Sequence, residues 1–396
     1  MTINALINEL DRDQAIRFLQ SLVQINSVNP PGNERKIVEL ITKRFEHYVH
    51  SVQKYKLDTN REDVFITLKG SDTRSQPKRH LILSGHLDTV PTGNQAWKTD
   101  PWSALIQDGK LYGRGASDMK SGVAAMVLTL ELIAKSGIKL RGDLSFLGTA
   151  GEEIDGRGAR LAIQERAISN ATALVIGEPT NNQLCIAHKG VLWLEIIIGG
   201  KAAHAGWPDA GVNAISAMHQ FIDALEHFKS VHDCILGNST VNLGLISGGI
   251  APNMVADTCK LTIDFRTVPG LEVEGIYNYT EEILKKISEK MNVTYRIKVL
   301  NDMHYVSTPK ENLFIQLSGK VFKEMFKGNV HFGGANYYSD GSLFTKENSR
   351  LPILIFGPGD PNQAHQLNEW VYLDYYFKAI HFYLLLAIQY LGVEDQ

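Results

Sequence analysis

Five short segments of the chain carry side-chain types that commonly bind metal ions. Apolar runs typical of strands come before these side chains, for example LIL before His86 and ALVI before Glu178. Because ligand sites in open α/β sheets form at the carboxyl ends of the strands, we expect the segments to meet in space. The segments are SGHLDTVP (84–91), GRGASDMKSG (113–122), GTAGEEIDG (148–156), IGEPT (176–180) and GDPNQAHQLNE (359–369).

The HLD triplet places His86 and Asp88 two residues apart on an extended segment, so both side chains point to one face. This spacing lets His86 bind a metal ion through one ring nitrogen while Asp88 accepts the N–H of the other. Such a hydrogen bond fixes the tautomer of the ring and raises its basicity. A single HxD triplet is more often a surface hydrogen bond, so the interpretation depends on the other segments.

Two adjacent carboxylates, Glu152 and Glu153, follow the strand-like run DLSFLG. Neighbouring carboxylates do not usefully share one role. One of them can bind a metal ion while the other faces the water that the metal activates and acts as a general base and acid. Paired glutamates also occur by chance on solvated turns, so the functional interpretation of the pair depends on the other predicted ligands.

The ligand count is the strongest indication of a metal site. If Asp118 bridges two ions, each ion has three protein ligands and keeps a position for a shared water, as catalytic zinc requires. Two histidines and three carboxylates without a thiolate suit two Zn²⁺ ions, for which Co²⁺ or Mn²⁺ can substitute. The predicted ligands are His86, Asp118, Glu153, Glu178 and His365.

Single segments also have structural interpretations. GRGASDMKSG can be a turn with a helix cap, because Ser and Asp before a helix are ordinary caps, and His365 alone can be an exposed histidine. A dinucleotide-binding interpretation of GRGASDMKSG fails, because Gly113 and Gly115 are present but Asp118 occupies the position of the third glycine. Five such segments in one chain favour a metal site.

Composition and net charge indicate which classes of partner to expect. The chain has 396 residues, 44% of them hydrophobic and 21% charged, and a formal charge of −3, so neither nucleic acid nor a membrane is an expected partner. The amphipathic, acidic N-terminal segment does not resemble a signal peptide. Three widely spaced cysteines form no zinc pattern, and free thiols make the cytoplasm the expected compartment.

The elements that must position the ligands alternate between strands and helices. A helix is predicted over 121–136, between strand-like runs at 80–84, 143–147 and 173–176. This alternation predicts an α/β fold with a mostly parallel sheet.

The pattern changes after Glu178, where residues 187–299 form a self-contained α+β block. The alternating pattern resumes near Thr308. We therefore expect a discontinuous catalytic domain of residues 1–186 and 300–396, with residues 187–299 as an inserted domain.

Taken in order, these segments resemble the M20 metallopeptidase family, especially its branch of succinyl-diaminopimelate desuccinylases and acetylornithine deacetylases. The motifs GHLDTVP, GRGASDMKSG, GEE and GEP carry the resemblance, which covers essentially the whole chain. It implies an aminoacylase-like zinc hydrolase domain whose inserted domain is a lid or dimerisation domain. It also implies that His86, Asp118 and Glu178 bind one zinc ion, and that Asp118, Glu153 and His365 bind the other.

The resemblance implies further roles near the metal ions. Glu152 matches the general acid/base and Asp88 the residue that orients His86, and a cis peptide often follows the bridging aspartate, here Asp118–Met119. His204 in HAGWP matches a histidine that stabilises the oxyanion in the partner subunit's site. This match implies a homodimer in which His204 acts in trans.

Five positions resemble substrate-binding positions of the family. A bidentate guanidinium suits a substrate carboxylate, although an arginine at a strand end can equally be a solvated charge. Lys189 lies in HKG (188–190), where desuccinylases carry RRG, and it cannot reproduce the fork of an arginine. The positions are Lys189, Asn253, Arg266, and Gly334 and Ser339 of the GGANYYSDG segment (333–341).

The expected activity is hydrolysis of a small N-acyl amino acid. N-succinyl-LL-2,6-diaminopimelate ranks first because SDG resembles the desuccinylases, N-acetylornithine or another N-acyl amino acid second, and dipeptides third. A binding protein that keeps the fold but has lost catalysis is the non-enzymatic alternative. It is disfavoured because Glu152 and the full ligand set are present.

Overall fold

The computed structural model describes residues 6, 9–48, 51–73 and 78–394. The chain divides into two compact units. The larger unit comprises Met1–Ala187, Val306–Ala335 and Ser339–Gln396, and the smaller unit comprises His188–Tyr305 and Asn336–Tyr338. The function of the smaller unit as a lid or dimerisation domain stays a prediction.

Helices and strands are numbered along the chain. The helices are α1 (Arg12–Gln24), α2 (Glu34–Lys43), α3 (Ser121–Ser136), α4 (Arg157–Gln164), α5 (Ala214–Leu225), α6 (Val273–Met291), α7 (Leu313–Phe326), α8 (Gly341–Glu347) and α9 (Leu373–Leu391). The strands are β1 (Ser51–Asp58), β2 (Arg61–Leu68), β3 (His80–His86), β4 (Leu105–Gln107), β5 (Lys110–Tyr112), β6 (Asp143–Thr149), β7 (Ala173–Ile176), β8 (Leu184–His188), β9 (Gly190–Gly199), β10 (His232–Asp233), β11 (Gly237–Asn238), β12 (Thr240–Gly248), β13 (Thr258–Thr267), β14 (Thr294–Met303), β15 (Val306–Ser307), β16 (Phe332–Ala335), β17 (Ile353–Ile355) and β18 (Trp370–Tyr372).

A nine-stranded sheet forms the centre of the larger unit, in the order β1-β2-β6-β3-β7-β17-β8-β15, with β16 paired to β8. Strands β6, β3, β7 and β17 run parallel. The pairs β1/β2, β2/β6 and β17/β8 are antiparallel. The parallel strands are the four in the middle of the sheet, and the α/β fold class with a mostly parallel central sheet is confirmed.

The sequences of β3 and α3 explain their place in the core. Every residue of β3, HLILSGH, is buried, which is the pattern of a central strand covered on both faces. Helix α3 is apolar on nearly all sides and contacts α9, β3 and β6. It ends where Gly137 adopts a left-handed conformation at φ +71°, as a helix C-cap commonly does.

The smaller unit is a four-stranded antiparallel sheet in the order β12-β13-β9-β14. Strand β9 alternates between buried and half-buried residues, and α5 contacts β9 and β13 while α6 contacts β14. The alternation shows that one face of the sheet is packed on the core. Strand β12 lies at the edge of this sheet, where Leu245 and Ile246 are 71% and 60% exposed.

The bounds expected for α3 and β7 agree with the structure, and the other predicted elements differ at their ends by a few residues. Strands β1 and β14 were not among the elements expected from the sequence. Within the described ranges, none of the helices combines the length and apolar composition that crossing a membrane requires.

Candidate metal centre

Three neighbouring parallel strands deliver side chains to one edge of the large sheet. His86 is the last residue of β3 and pairs with Thr149, the last residue of β6, while Ser84 of β3 pairs with Ile176 at the end of β7. Glu152 and Glu153 follow β6 by three and four residues, and Glu178 follows β7 by two. These side chains therefore leave the sheet at the same edge, as expected from the strand order.

Asp118 faces two histidines with different oxygen atoms. Its Oδ1 lies 3.1 Å from His86 Nε2, and its Oδ2 lies 3.4 Å from His365 Nε2. His86 Nε2 is also 3.8 Å from Glu178 Oε1, and His365 Nε2 is 3.1 Å from Glu153 Oε2. The five predicted ligands thus form two groups that share the carboxylate of Asp118.

The donor set fits metal ions rather than a closed network of hydrogen bonds. Glu153 Oε1 is buried and has no hydrogen-bond donor among the described residues. Ligand atoms of His86, Asp118 and Glu153 all lie within 4.8 Å of one another. Imidazole nitrogens and carboxylate oxygens without thiolates suit zinc, cobalt or manganese.

Crowding of the carboxylates perturbs their protonation. Burial raises the pKa of Glu152 well above its ordinary value; the charge of His86 opposes the shift, and Glu178 and Glu153 add to it. Burial, and then the charge of Asp118, raise the pKa of Glu178 well above its ordinary value. Buried carboxylates that repel one another favour a cation among them.

The carboxylate of Asp88 connects the His86 segment to the glutamate pair. Its Oδ1 accepts a hydrogen bond from the backbone N of Glu152 at 3.2 Å, and its Oδ2 accepts from the backbone N of Glu153 at 3.3 Å. His86 Nδ1 lies 3.0 Å from the backbone carbonyl oxygen of Asp88 and 3.6 Å from Oδ1. The sequence predicts the carboxylate as the acceptor for the ring, but the carbonyl oxygen of the same residue is closer.

Asp118 lies in an irregular turn rather than in a regular helix. The turn spans Ala116–Lys120, and the Asp118–Met119 peptide is cis. Gly115 begins it at φ +82°, and a Cβ there would lie 2.6 Å from Thr89 Cγ2. Only glycine meets both conditions without strain.

Four of the remaining predicted residues lie in the smaller unit. His204 is exposed and its ring contacts that of Trp207 at 5.1 Å between centroids. Lys189 Nζ donates to the carbonyl oxygen of Asn238 at 2.7 Å, and Arg266 Nη2 donates to Asp264 Oδ2 at 3.0 Å. The backbone carbonyl of Asn253 accepts from the backbone N of Ala205 at 2.9 Å.

Two predicted residues lie in the larger unit, outside the group of ligands. Gly334 is part of β16. Ser339 is buried, and its Oγ accepts from the backbone N of Gly341 at 3.2 Å at the start of α8. This contact gives Ser339 a local structural role, and its contact with substrate stays a prediction.

Residues 82–389 match peptidase family M20/M25/M40. The chain belongs to this family. Membership makes it a metallohydrolase, and the expected resemblance is confirmed.

Two curated relatives show how much of this M20 chain is shared. A probable succinyl-diaminopimelate desuccinylase of Staphylococcus aureus is 28% identical over 410 residues, covering 96% of this chain and 98% of the relative. An acetylornithine deacetylase of Buchnera aphidicola is 31% identical over 376 residues, covering 91% and 93%.

Solved structures with the same fold have lower sequence identity. An M20 family metallo-carboxypeptidase of Sulfolobus solfataricus aligns with a TM-score of 0.78 at 17% identity, covering 95% of this chain and 99% of that chain. A dinuclear metal-binding M20 peptidase of Bacillus subtilis aligns with a TM-score of 0.73 at 15% identity, covering 96% and 98%. At these identities the likeness shows the fold.

Three further residues of the M20 centre were not singled out from the sequence. Asn29 Nδ2 donates to Asp88 Oδ2 at 2.9 Å, and Asp340 Oδ2 accepts from Thr149 Oγ1 at 2.6 Å. Glu369 is buried and accepts hydrogen bonds from the turn that carries Asp118. Asp340 and Glu369 lie within segments already marked as functional, but only three-dimensional contacts distinguish them from their neighbours.

Proposed function

We propose that the chain is a two-metal amide hydrolase that removes the N-acyl group of a small amino acid. The observation that carries this proposal is the orientation of Asp118, whose two oxygens face His86 and His365 separately. A carboxylate that only formed an ion pair would not need histidines on both oxygens. A carboxylate that bridges two ions has a ligand set on each side, which includes one histidine here.

The ligand groups indicate which residues would hold each ion. His86, Asp118 and Glu178 would hold one, and Asp118, Glu153 and His365 the other. When bound, two Zn²⁺ ions supply a Lewis acid and lower the pKa of water, and Co²⁺ or Mn²⁺ can do the same.

Glu152 is proposed as the general base and acid. Glu152 is buried and adjoins the proposed ligand Glu153, a position that suits a group that must take a proton from water and later give it back. The hydrogen bond from its backbone N to Asp88 Oδ1 fixes the position of the residue beside His86. Glu152 takes the proton of the attacking water and returns it to the leaving amine.

A homodimer is proposed in which His204 completes the partner's site by donating to the oxyanion. Strand β12 supports the dimer, because it is an edge strand with exposed apolar residues, and such edges pair readily with another chain. His204 itself is exposed, and its Nδ1 accepts a hydrogen bond from the backbone N of Gly206 at 3.0 Å.

Mixing two inactive variants tests the action in trans. His204→Ala and Glu152→Gln homodimers should each have little activity, whereas a mixture that exchanges subunits should regain it. Each mixed dimer contains one site with an intact Glu152 and an intact His204 from the other chain. Absence of recovery in dimers shown to be mixed by mass spectrometry would contradict this arrangement.

The proposed substrate carries a free carboxylate. Lys189 and Arg266 are two cations of the smaller unit, and burial together with the charge of Arg266 lowers the pKa of Lys189. Arg266 also pairs with Asp264, so the positive charge of Lys189 is the feature that supports an anionic substrate group. The two curated relatives are named for succinyl-diaminopimelate and acetylornithine. We rank N-succinyl-LL-2,6-diaminopimelate first, N-acetylornithine or another N-acyl amino acid second, and dipeptides third.

A hydrolysis panel tests the proposed activity. Purified chain with added Zn²⁺ or Co²⁺ is assayed against N-succinyl, N-acetyl and dipeptide substrates, and kcat/KM is compared. The proposal expects the highest kcat/KM with an N-acyl amino acid. A preference for dipeptides would overturn the assignment as a deacylase, and no turnover with stoichiometric bound metal would favour a binding protein.

A further inference from the structure

Glu369 has no part in the chemistry proposed above, yet it is completely buried. Its Oε1 accepts from the backbone N of Ser117 at 2.8 Å and of Asp118 at 3.0 Å. Its Oε2 accepts from the backbone N of Gly115 at 2.9 Å and from Arg114 Nη1 at 2.7 Å. Both oxygens therefore have two donors each, and three of the four donors are main-chain groups of one turn.

The turn around Asp118 needs such an acceptor. Gly115 is in the left-handed region, and Asp118 has non-helical angles of φ −118° and ψ 98°, so a regular helical ladder is interrupted. A buried backbone N–H without an acceptor destabilises the fold, because its lost hydrogen bonds to water are not replaced. Successive N–H groups that point to one side form a concave anion site, and Glu369 supplies the anion from within the chain.

Glu369 also ties the segment of one metal ligand to the turn of another. His365 lies four residues before Glu369, and the backbone N of Gly113 donates to the carbonyl oxygen of Glu369 at 2.9 Å. The side chain and main chain of Glu369 thus fix the His365 segment to the Asp118 turn. Asp118, whose two oxygens face different histidines, lies on the turn that is fixed in this way.

We propose that Glu369 is a positioning residue that holds Asp118 with one oxygen toward each metal ion. The inference rests on the proposed metal centre and adds a residue that acts through the backbone of Asp118. An amide at this position would offer one acceptor oxygen instead of two. Its NH₂ group would face N–H donors, so the turn would have to shift.

The alternative is a purely structural ion pair between Glu369 and Arg114. Glu131 provides a matched control, because it is also a buried glutamate of the larger unit and pairs with Arg44. It lies on α3, on which no proposed metal ligand lies. A structural role predicts that Glu369→Gln and Glu131→Gln affect stability alike and leave metal binding unchanged.

The experiment measures zinc rather than turnover. Full-length wild type, Glu369→Gln and Glu131→Gln are titrated with Zn²⁺ in competition with a chromophoric chelator, and the melting temperatures of the metal-free forms are recorded. We expect the wild type to bind two ions. Glu369→Gln should bind at least one of them 10–100-fold more weakly, the range for residues that orient metal ligands. Glu131→Gln should bind both as the wild type does.

The outcomes separate this inference from the proposed function. Wild-type affinity for both ions in Glu369→Gln overturns the positioning role and leaves the metal centre standing. An equal loss in Glu131→Gln overturns it as well, since the effect would then be general. A wild-type chain without stoichiometric zinc overturns the metal centre itself.

Two measurements keep the inference testable if Glu369→Gln does not fold. Glu369→Asp keeps the charge but is shorter by one methylene, so it too should weaken zinc binding, and wild-type affinity would overturn the role. In the metal-free wild type, hydrogen exchange at the amides of Gly115, Ser117 and Asp118 should be slow. Exchange at the rate of exposed loops would overturn it.

Discussion

The two halves of the candidate metal centre are held in different ways. His86 ends a central strand and is 2% exposed, and its neighbour Glu178 follows another buried strand. His365 lies on a loop with its side chain 54% exposed and adopts a positive φ of 62°. The histidine is therefore fixed by the sheet in one half and by a loop in the other, while both glutamates follow strands of the sheet.

This difference predicts unequal metal sites that share one ligand. His86 ends a strand and needs no ordering before it binds an ion. The exposed His365 must instead be held in a backbone conformation that non-glycine residues rarely adopt. We infer that the ion at His86 binds more tightly and that the ion at His365 is lost first. Asp118 belongs to both halves, so its removal should weaken the binding of both ions.

The largest effect is expected from Asp118→Ala, which removes the ligand common to both halves. Both ions should bind more weakly, and kcat/KM should fall on the order of 10⁴-fold, because metal ions supply several kcal/mol of transition-state stabilisation. Zinc titration and kcat/KM measure the two effects. Asp13→Asn, on the exposed surface of α1, is the control. Loss of a single ion in Asp118→Ala would show that the carboxylate does not bridge.

The next effect separates the adjacent glutamates. Glu152→Gln should keep both ions and reduce kcat by about 10²–10⁴-fold, the contribution of a general acid and base. Glu153→Gln should instead weaken the ion on the His365 side. Metal analysis with single-turnover kinetics distinguishes the two variants. Near-normal kcat in Glu152→Gln would remove its proposed role.

A smaller effect compares the histidines directly. His365→Ala should keep one tightly bound ion, whereas His86→Ala should lose the tight site, and the retained affinities should differ by at least about tenfold. Timed removal of zinc by a chelator from the wild type should show two phases. A single phase, together with equal affinities in the two variants, would indicate that the position of His86 on the sheet does not increase the affinity for zinc.

The smallest predicted effect concerns His80 at the other end of β3. Burial lowers the pKa of His80 to about 4. At pH values between this pKa and the ordinary pKa of histidine, the unfolded chain therefore binds more protons than the folded chain. Stability should therefore fall as the pH drops from 7 to 5.5, by about 1 kcal/mol from this residue. The measurement is the difference in unfolding free energy between metal-free wild type and His80→Gln at each pH.

The exposed His47 provides the control for His80. The pH dependence of His80→Gln is compared with that of His47→Gln over the same range. A difference between His80→Gln and the wild type that stays constant with pH would show that burial of His80 does not contribute to acid sensitivity.

The ligands were predicted from a local pattern, in which a metal-binding residue type follows an apolar, strand-like run. His86 and Glu178 follow apolar runs, and parallel strands bring such positions to one edge of a sheet. The main strands of the central sheet were predictable for the same reason. Strands β1 and β14 were not expected because many of their residues are exposed, so no apolar run marks them.

Other features depend on contacts that no local pattern records. The donors to Glu369 lie between 251 and 255 residues earlier in the chain, and three of them are backbone groups without a side-chain signature. The acceptor for the His86 ring is likewise a carbonyl oxygen rather than the expected carboxylate. Side-chain types therefore indicate which residues converge at the candidate centre, whereas the groups that position those residues have no such signal.

The most direct test of the central claim is a crystal structure of the zinc-loaded chain with data collected on both sides of the zinc absorption edge. We predict two anomalous peaks about 3.5–4 Å apart, with Asp118 Oδ1 bound to the ion at His86 and Oδ2 to the ion at His365. A single peak, or two peaks of which only one contacts Asp118, would contradict the shared carboxylate.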